Sequence, residues 1–349
     1  MKNKLNYTGK TIFVGIDVHK KTYSVAIICE NMLVKKDTIL AQPEKLGAYL
    51  KKYFSGAKIK SSYEAGFSGY VLHRYLEKQG IENIVVHAAS IEISANNKVK
   101  TDKRDALKIA TQLSAGRLRS IHIPSEETED KRELTRLRED LVKEKTRVTV
   151  KLKSKANYYG LLCPEEKLKV SKKWIEKILK KPLPTNLFFT LNTLFDQWTN
   201  LTQKIKEIDA KLKEQAKEDK NEHIYRSAKG VGPTASRILS NELGDMSHFS
   251  SERDLFSFTG LTPREHSSGE HTRKGHISRQ GKPILRKTLV QCSWVTIRYD
   301  KSLAKIYERI KHRAGGKRAI IAVARRLVGR LRACLQRNEF YQESKLQAV

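Results

Sequence analysis

The sequence predicts an α/β N-terminal domain, a helical coiled-coil middle and a mainly α-helical C-terminal domain. Three observations carry this. Short apolar runs alternate with helix-like stretches over residues 1–120. Two long stretches after residue 125 have few breakers, alternating charges and a narrow apolar stripe. From Arg226 onward the composition changes again, towards Arg, Lys and Gly. The expected boundaries are 1–124, 125–225 and 226–349.

The N-terminal elements read in order. Ile12 to Val18 and Tyr23 to Cys29 are two strands joined by the turn Asp17-Val18-His19-Lys20-Lys21, and Met32 to Leu40 supplies a third. Pro43 to Phe54 has Leu46, Leu50 and Tyr53 at helical spacing, with Gly47 as a weak point. Lys58 to Tyr63 is strand-like, Gly69 to Gln79 is a helix closed by Gly80, and Ile84 to His87 is another strand. Val99 to Gly116 is a helix with Leu107, Ala110 and Leu113 on one side. Three strands, then helix, strand, helix, strand, helix is the order of a ribonuclease H-like fold.

The middle begins at Pro124-Ser125-Glu126-Glu127, where Ser125 caps a helix running to about residue 160. A second helix spans about 190 to 220. The segment between them, with Cys163-Pro164 and Pro182-Leu183-Pro184, reads as irregular. The helix pair fits either an oligomerising arm or a plain solvated bundle.

The formal net charge is +31, distributed as +11 over residues 1–120, +5 over 121–225 and +15 over 226–349. So positive a chain calls for a polyanionic partner, with DNA or RNA first and an anionic membrane surface second. No apolar run reaches the length of a membrane span, and the first residues lack the apolar stretch of a signal peptide. Cys29, Cys163, Cys292 and Cys334 are scattered, with neither CxxC spacing nor a compact disulfide pattern, so a cytoplasmic location is expected.

Four acids carry the chemistry. Asp17 ends the apolar run Ile12-Phe13-Val14-Gly15-Ile16, Glu64 follows a second strand-like run, and Asp102 and Asp105 lie three apart at the start of a helical pattern. Residues three apart share a helix face. Any one acid is most often a solvated charge, and Asp102 also fits a helix cap. Acids that converge from two strands and a helix repel one another unless a cation neutralises them, which points to Mg²⁺. In a strongly basic protein the natural substrate of that metal is a phosphodiester.

Other motifs are weaker. Gly230-Val231-Gly232-Pro233 opens a helix and can present backbone N–H groups to a phosphate, or can be a plain turn. The stretch from Thr259 to Lys282 is rich in Gly and Ser, then in Arg, Lys and His; such loops are usually surface, yet a serine hydroxyl amid cations can be a nucleophile. Arg313 to Arg318, with Arg325, Arg326, Arg330 and Arg332 beyond, suits phosphate positioning rather than base reading.

Gly15-Ile16-Asp17-Val18-His19-Lys20, Tyr63-Glu64-Ala65-Gly66, Lys100-Thr101-Asp102-Lys103-Arg104-Asp105-Ala106, Gly230-Val231-Gly232, and Gly260-Leu261-Thr262-Pro263 through Ser268-Gly269 follow one another in that order. Over about residues 11 to 335 this resembles the DEDD transposases of insertion sequences, the one-hundred-and-ten family related to the Piv/MooV invertases. The resemblance implies a RuvC-like N-terminal domain holding Mg²⁺ or Mn²⁺ on Asp17, Glu64, Asp102 and Asp105. It implies a serine nucleophile directly before a glycine, which is Ser268 here, with Ser267 as the alternative. It implies donor and target DNA as substrates, a structured guide RNA in some members, and a dimer or tetramer in which the acids of one protomer meet the serine of another. Lys103, Arg104, Arg264, Arg273, Lys274, Lys282 and Arg286 are the expected nucleic-acid contacts, and His266 is a candidate proton acceptor. Three other readings compete: a junction-resolving nuclease without a covalent serine, a sugar- or acetate-kinase-like ATPase, and a non-catalytic nucleic-acid-binding protein. The C-terminal domain opposes the first, and the charge and the lack of a second Gly-rich phosphate loop oppose the second.

Overall fold

The computed structural model describes residues 6–92, 102–162, 169–265 and 274–343. The chain divides into two compact units, residues 1–124 and 125–349.

The first unit is a five-stranded mixed sheet with helices on both faces. Its strands are β1 (Thr11–Val18), β2 (Thr22–Cys29), β3 (Met32–Leu40), β4 (Lys58–Glu64) and β5 (Glu82–Val86), in the spatial order β3-β2-β1-β4-β5. The β1–β2 and β2–β3 pairs are antiparallel, and β1–β4 and β4–β5 are parallel. Its helices are α1 (Pro43–Tyr53), α2 (Val71–Lys78) and α3 (Asp102–Ser114).

Alternation along the strands explains the layering. Ile12, Val14 and Ile16 of β1 and Val25 and Ile27 of β2 join Leu46, Leu50, Leu72 and Leu76 in one core, so α1 and α2 cover that face. Phe13, Ala26 and Ile28 point the other way and meet Ala106 and Ala110 of α3. Burial of each large aliphatic chain contributes about 1.5–3 kcal/mol before the entropy of ordering is set against it. On the α3 face the residues are small for a reason. A Cβ at Gly15 would overlap the backbone of Ala106 and Ala110, so the helix rides directly on β1.

The second unit is mainly helical. Its helices are α4 (Glu126–Tyr158), α5 (Lys172–Leu179), α6 (Thr185–Gln215), α7 (Lys220–Ser227), α8 (Pro233–Leu243), α9 (Glu252–Thr259), α10 (Pro283–Thr296), α11 (Lys301–Ala314) and α12 (Gly316–Arg337). Ser125 Oγ accepts from the Thr128 amide and caps α4 as expected. α4 and α6 lie antiparallel: Arg138 Nε meets Asp209 at 2.5 Å, Trp198 Nε1 donates to Thr149 Oγ1 at 3.2 Å, and Val148 and Leu152 pack with Leu187 and Leu191.

Near its N-terminus α4 is bolted to α8. Arg132 donates to the carbonyls of Asn241 and Glu242 at 2.8 and 3.0 Å. The Glu242 carboxylate, fully buried, takes Arg136 Nε at 2.9 Å and Lys282 Nζ at 2.7 Å. Burial opposes its ionisation, but the Arg136 and Lys282 contacts outweigh that and hold its pKa below the ordinary range. The main core of the unit gathers α7 to α10 and α12 around Leu239, Leu255, Leu285, Leu289 and Leu327.

Two expectations need correction. The segment read as irregular holds α5, an eight-residue helix capped by Ser171 Oγ on the Trp174 amide, with Ile175 and Ile178 buried. Its length hid it: two turns between prolines give little periodicity to read. The polar loop after α9 carries a short antiparallel pair, β6 (Pro263–Glu265) and β7 (Lys274–Ile277).

Candidate metal centre and nucleic-acid contacts

The parallel register sets Ile16 of β1 beside Tyr63 of β4, and both side chains enter the α1/α2 core. The next residues, Asp17 and Glu64, therefore sit level at the carboxyl ends of neighbouring strands and turn to the opposite, α3 face. Asp102 begins α3, and Asp105 follows one turn later. The close seat of α3 on Gly15 brings the helix start to the end of β1.

His19 completes the group. Its Nε2 lies 3.1 Å from Asp17 Oδ2 and 3.2 Å from Asp102 Oδ2. Asp17, His19 and Asp102 each offer a ligand atom within 4.8 Å of the others. Burial raises the Asp17 pKa, His19 opposes that rise, and the charges of Asp102 and Asp105 add to it. Asp105 is thus within electrostatic reach, although its carboxylate pairs with Lys108 at 3.2 Å. Glu64 stands exposed at its strand end and reaches this corner through register alone. Two carboxylate oxygens and an imidazole nitrogen, with two further carboxylates close by, are a donor set consistent with a divalent metal ion. His19 stood inside the first motif without a role.

The expected basic contacts fall into different environments. Arg104 is exposed on α3 and Arg264 is exposed on β6. Lys282 is held in the ion pair with Glu242, inside the α4–α8 joint. Arg286 lies against Gly260, and its Nη1 is buried without a hydrogen-bond partner among the described residues, as is Thr262 Oγ1. Burial, then the charge of Arg279, lowers the Arg286 pKa. Ser267, Ser268, His266 and Arg273 lie outside the described residues, as do the side chains of Lys103 and Lys274. The base of their loop is closed. Ser278 N donates to Thr262 O at 2.8 Å, Lys282 N donates to Phe258 O at 3.0 Å, and a Cβ on Gly281 would overlap Gly260 and Phe258.

The Gly-x-Gly turn has a packing explanation at one end. Gly230 has φ 107°, and a Cβ there would come within 2.5–2.7 Å of Thr296. Gly232 caps α8 with open space beside it.

Comparison with known proteins decides the family. A model described as "Transposase IS116/IS110/IS902 family" matches residues 222–308, and the DEDD transposase model of IS110 elements matches residues 14–159, the stretch that contains all four acids. The chain belongs to the IS110 family of DEDD transposases.

Three relatives match through most of their length. The chain is 28% identical over 301 residues to "Putative transposase y4qE" of Sinorhizobium fredii, covering 84% of this chain and 73% of the relative. It is 27% identical over 338 residues to "Transposase for insertion sequence element IS1533" of Leptospira borgpetersenii, covering 92% and 95%. It is 28% identical over 254 residues to "Transposase for insertion sequence element IS1111A" of Coxiella burnetii, covering 70% and 68%. The protein is accordingly a DNA transposase, and the corner between β1, β4 and α3 is its candidate metal centre.

Proposed function

We propose that this transposase cuts and rejoins DNA with a divalent ion, Mg²⁺ or Mn²⁺, on Asp17, Glu64, Asp102 and Asp105, and with Ser268 as nucleophile. The convergence of Asp17, Asp102 and His19 at one point carries the reading. The sheet order β3-β2-β1-β4-β5, with its antiparallel and parallel halves, supports a ribonuclease H-like, RuvC-like domain around that point. Held by these residues, a divalent ion would supply polarisation of the scissile phosphate and stabilisation of developing charge. Asp17 and Glu64 hold their carboxylates on rigid strand ends, and Asp102 and Asp105 bring theirs from one helix face.

In the serine step, Oγ bonds to phosphorus as the bond from phosphorus to the sugar oxygen breaks. The serine proton passes to a base and the leaving sugar oxygen takes one up. The phosphoserine ester keeps the energy of the broken bond, so reversal onto a new strand needs no outside energy. A free serine is a poor nucleophile, and the cationic sequence around Ser268 is the support for its activation. The resemblance further supports a guide RNA and a dimer or tetramer that joins acids and serine from different protomers.

Strand exchange on a donor–target pair tests the metal reading. Asp17→Asn is expected to abolish exchange while DNA affinity stays within about twofold, because no phosphate-binding cation is removed. Full exchange by Asp17→Asn, or by the unaltered protein in excess chelator, would refute it.

A further inference from the structure

The near balance of charge in residues 121–225 hides a strong segregation. Residues 145–190 carry 12 Lys and Arg against 3 Asp and Glu, a net +9, while the remainder of 121–225 is −4. In the antiparallel pairing of α4 and α6, the described residues within 145–162 and 169–190 form one end of the helix pair, away from the joint of α4 with α8. This end has its own small core of Val148, Leu152, Ile175, Ile178, Leu187 and Leu191, so it is a built unit and not a frayed tip.

Its surface combines two features. Lys151, Lys153, Lys155, Lys169, Lys173 and Lys180 have no ion pair among the described residues. Interleaved with them are exposed aromatic rings: Tyr158 at 83%, Phe189 at 72%, and Tyr159 and Phe188 at nearly half. Tyr158 and Tyr159 stand edge to face with centroids 5.1 Å apart. A coiled-coil contact between protomers needs an apolar seam, and this concentration of like charge repels a second copy of itself. Exposed rings among unpaired lysines suit a chain of phosphates with bases free to stack. Duplex DNA offers the phosphates but keeps its bases inside.

We propose that this end of the α4–α6 pair is a binding surface for a single-stranded stretch of polynucleotide, with Tyr158, Tyr159 and Phe189 as stacking platforms and Lys151, Lys155 and Lys173 as phosphate contacts. It lies apart in sequence from both the acids and Ser268, and it is independent of the serine step. It rests only on the protein's acting on nucleic acid.

The experiment uses the full-length protein, a labelled mixed-sequence single-stranded oligonucleotide and the duplex of the same sequence, with binding followed by anisotropy across a salt series. Tyr158→Ala with Tyr159→Ala is expected to weaken single-strand binding about tenfold and duplex binding by less than about twofold. Lys151→Gln with Lys155→Gln and Lys173→Gln is expected to flatten the salt dependence for the single strand. Ultraviolet cross-linking of the unaltered protein is expected to label the peptide that holds Tyr158 and Tyr159, a readout that needs no variant to fold. Unchanged single-strand affinity, equal losses for single strand and duplex, or cross-links confined to other peptides would overturn the proposal. So would a loss of binding to anionic vesicles in the lysine variant with single-strand binding intact. Asp17→Asn in the same assay separates the two readings, because failure of the metal site leaves these affinities unchanged.

Discussion

At the residue scale the candidate centre is a balance between like charges and one imidazole. Asp17 and Asp102 both approach His19 Nε2, at 3.1 and 3.2 Å. Asp17 is partly buried and its pKa is raised, whereas Asp102 is 62% exposed at its helix start. Under the proposed metal reading, His19 either ligates the ion with them or orients both carboxylates towards it. In either role His19→Ala is expected to lower Mn²⁺ affinity roughly ten- to a hundredfold, since groups that orient ligands have effects of that size. Calorimetric titration of Mn²⁺ into the unaltered and altered proteins measures this directly, and equal affinities would remove His19 from the site. The acids were legible in the sequence because each follows a recognisable strand or starts a helix. His19 was not, because a lone histidine near a turn has no distinguishing neighbour until the fold brings Asp102 across to it.

At the element scale the site depends on how closely α3 seats on β1. Gly15 has no Cβ to spare, and Ala106 and Ala110 complete the fit. Gly15→Ala is expected to push α3 off the sheet and cost about 1–3 kcal/mol of stability, as overpacking does. Because α3 carries Asp102 and Asp105, the same change is expected to weaken Mn²⁺ binding even at temperatures where the protein stays folded. Thermal unfolding followed by circular dichroism, together with the Mn²⁺ titration, tests both; unchanged stability and affinity would mean that the helix seat tolerates a methyl group.

The strands β1 to β5 and the helices α1 to α4 lie close to where periodicity and turn residues put them, since each carries a run of apolar residues long enough to read. The short elements escaped. α5 has two turns, and β6 and β7 pair across the polar loop with three and four residues. Lys282 shows the other limit. Its sequence context is a basic loop, but its partner Glu242 is forty residues away and fully buried, so only the fold reveals that its charge is used internally.

At the scale of the whole molecule, the +31 charge supports a nucleic-acid substrate, and family membership makes it a transposase. Among the described residues no helix is long and apolar enough to cross a membrane. The four acids fall in the first unit, residues 1–124, and Ser268 falls within the residue range of the second, 125–349. What separates the proposed serine chemistry from plain hydrolysis is a covalent link between protein and DNA. The direct measurement is to react the protein with a nicked DNA substrate and Mg²⁺, digest the trapped complex and identify the DNA-linked peptide by mass spectrometry. An adduct on Ser268 is expected, absent from Ser268→Ala and from Asp17→Asn; strand cleavage that continues with no adduct at Ser268 or Ser267 would contradict the serine chemistry.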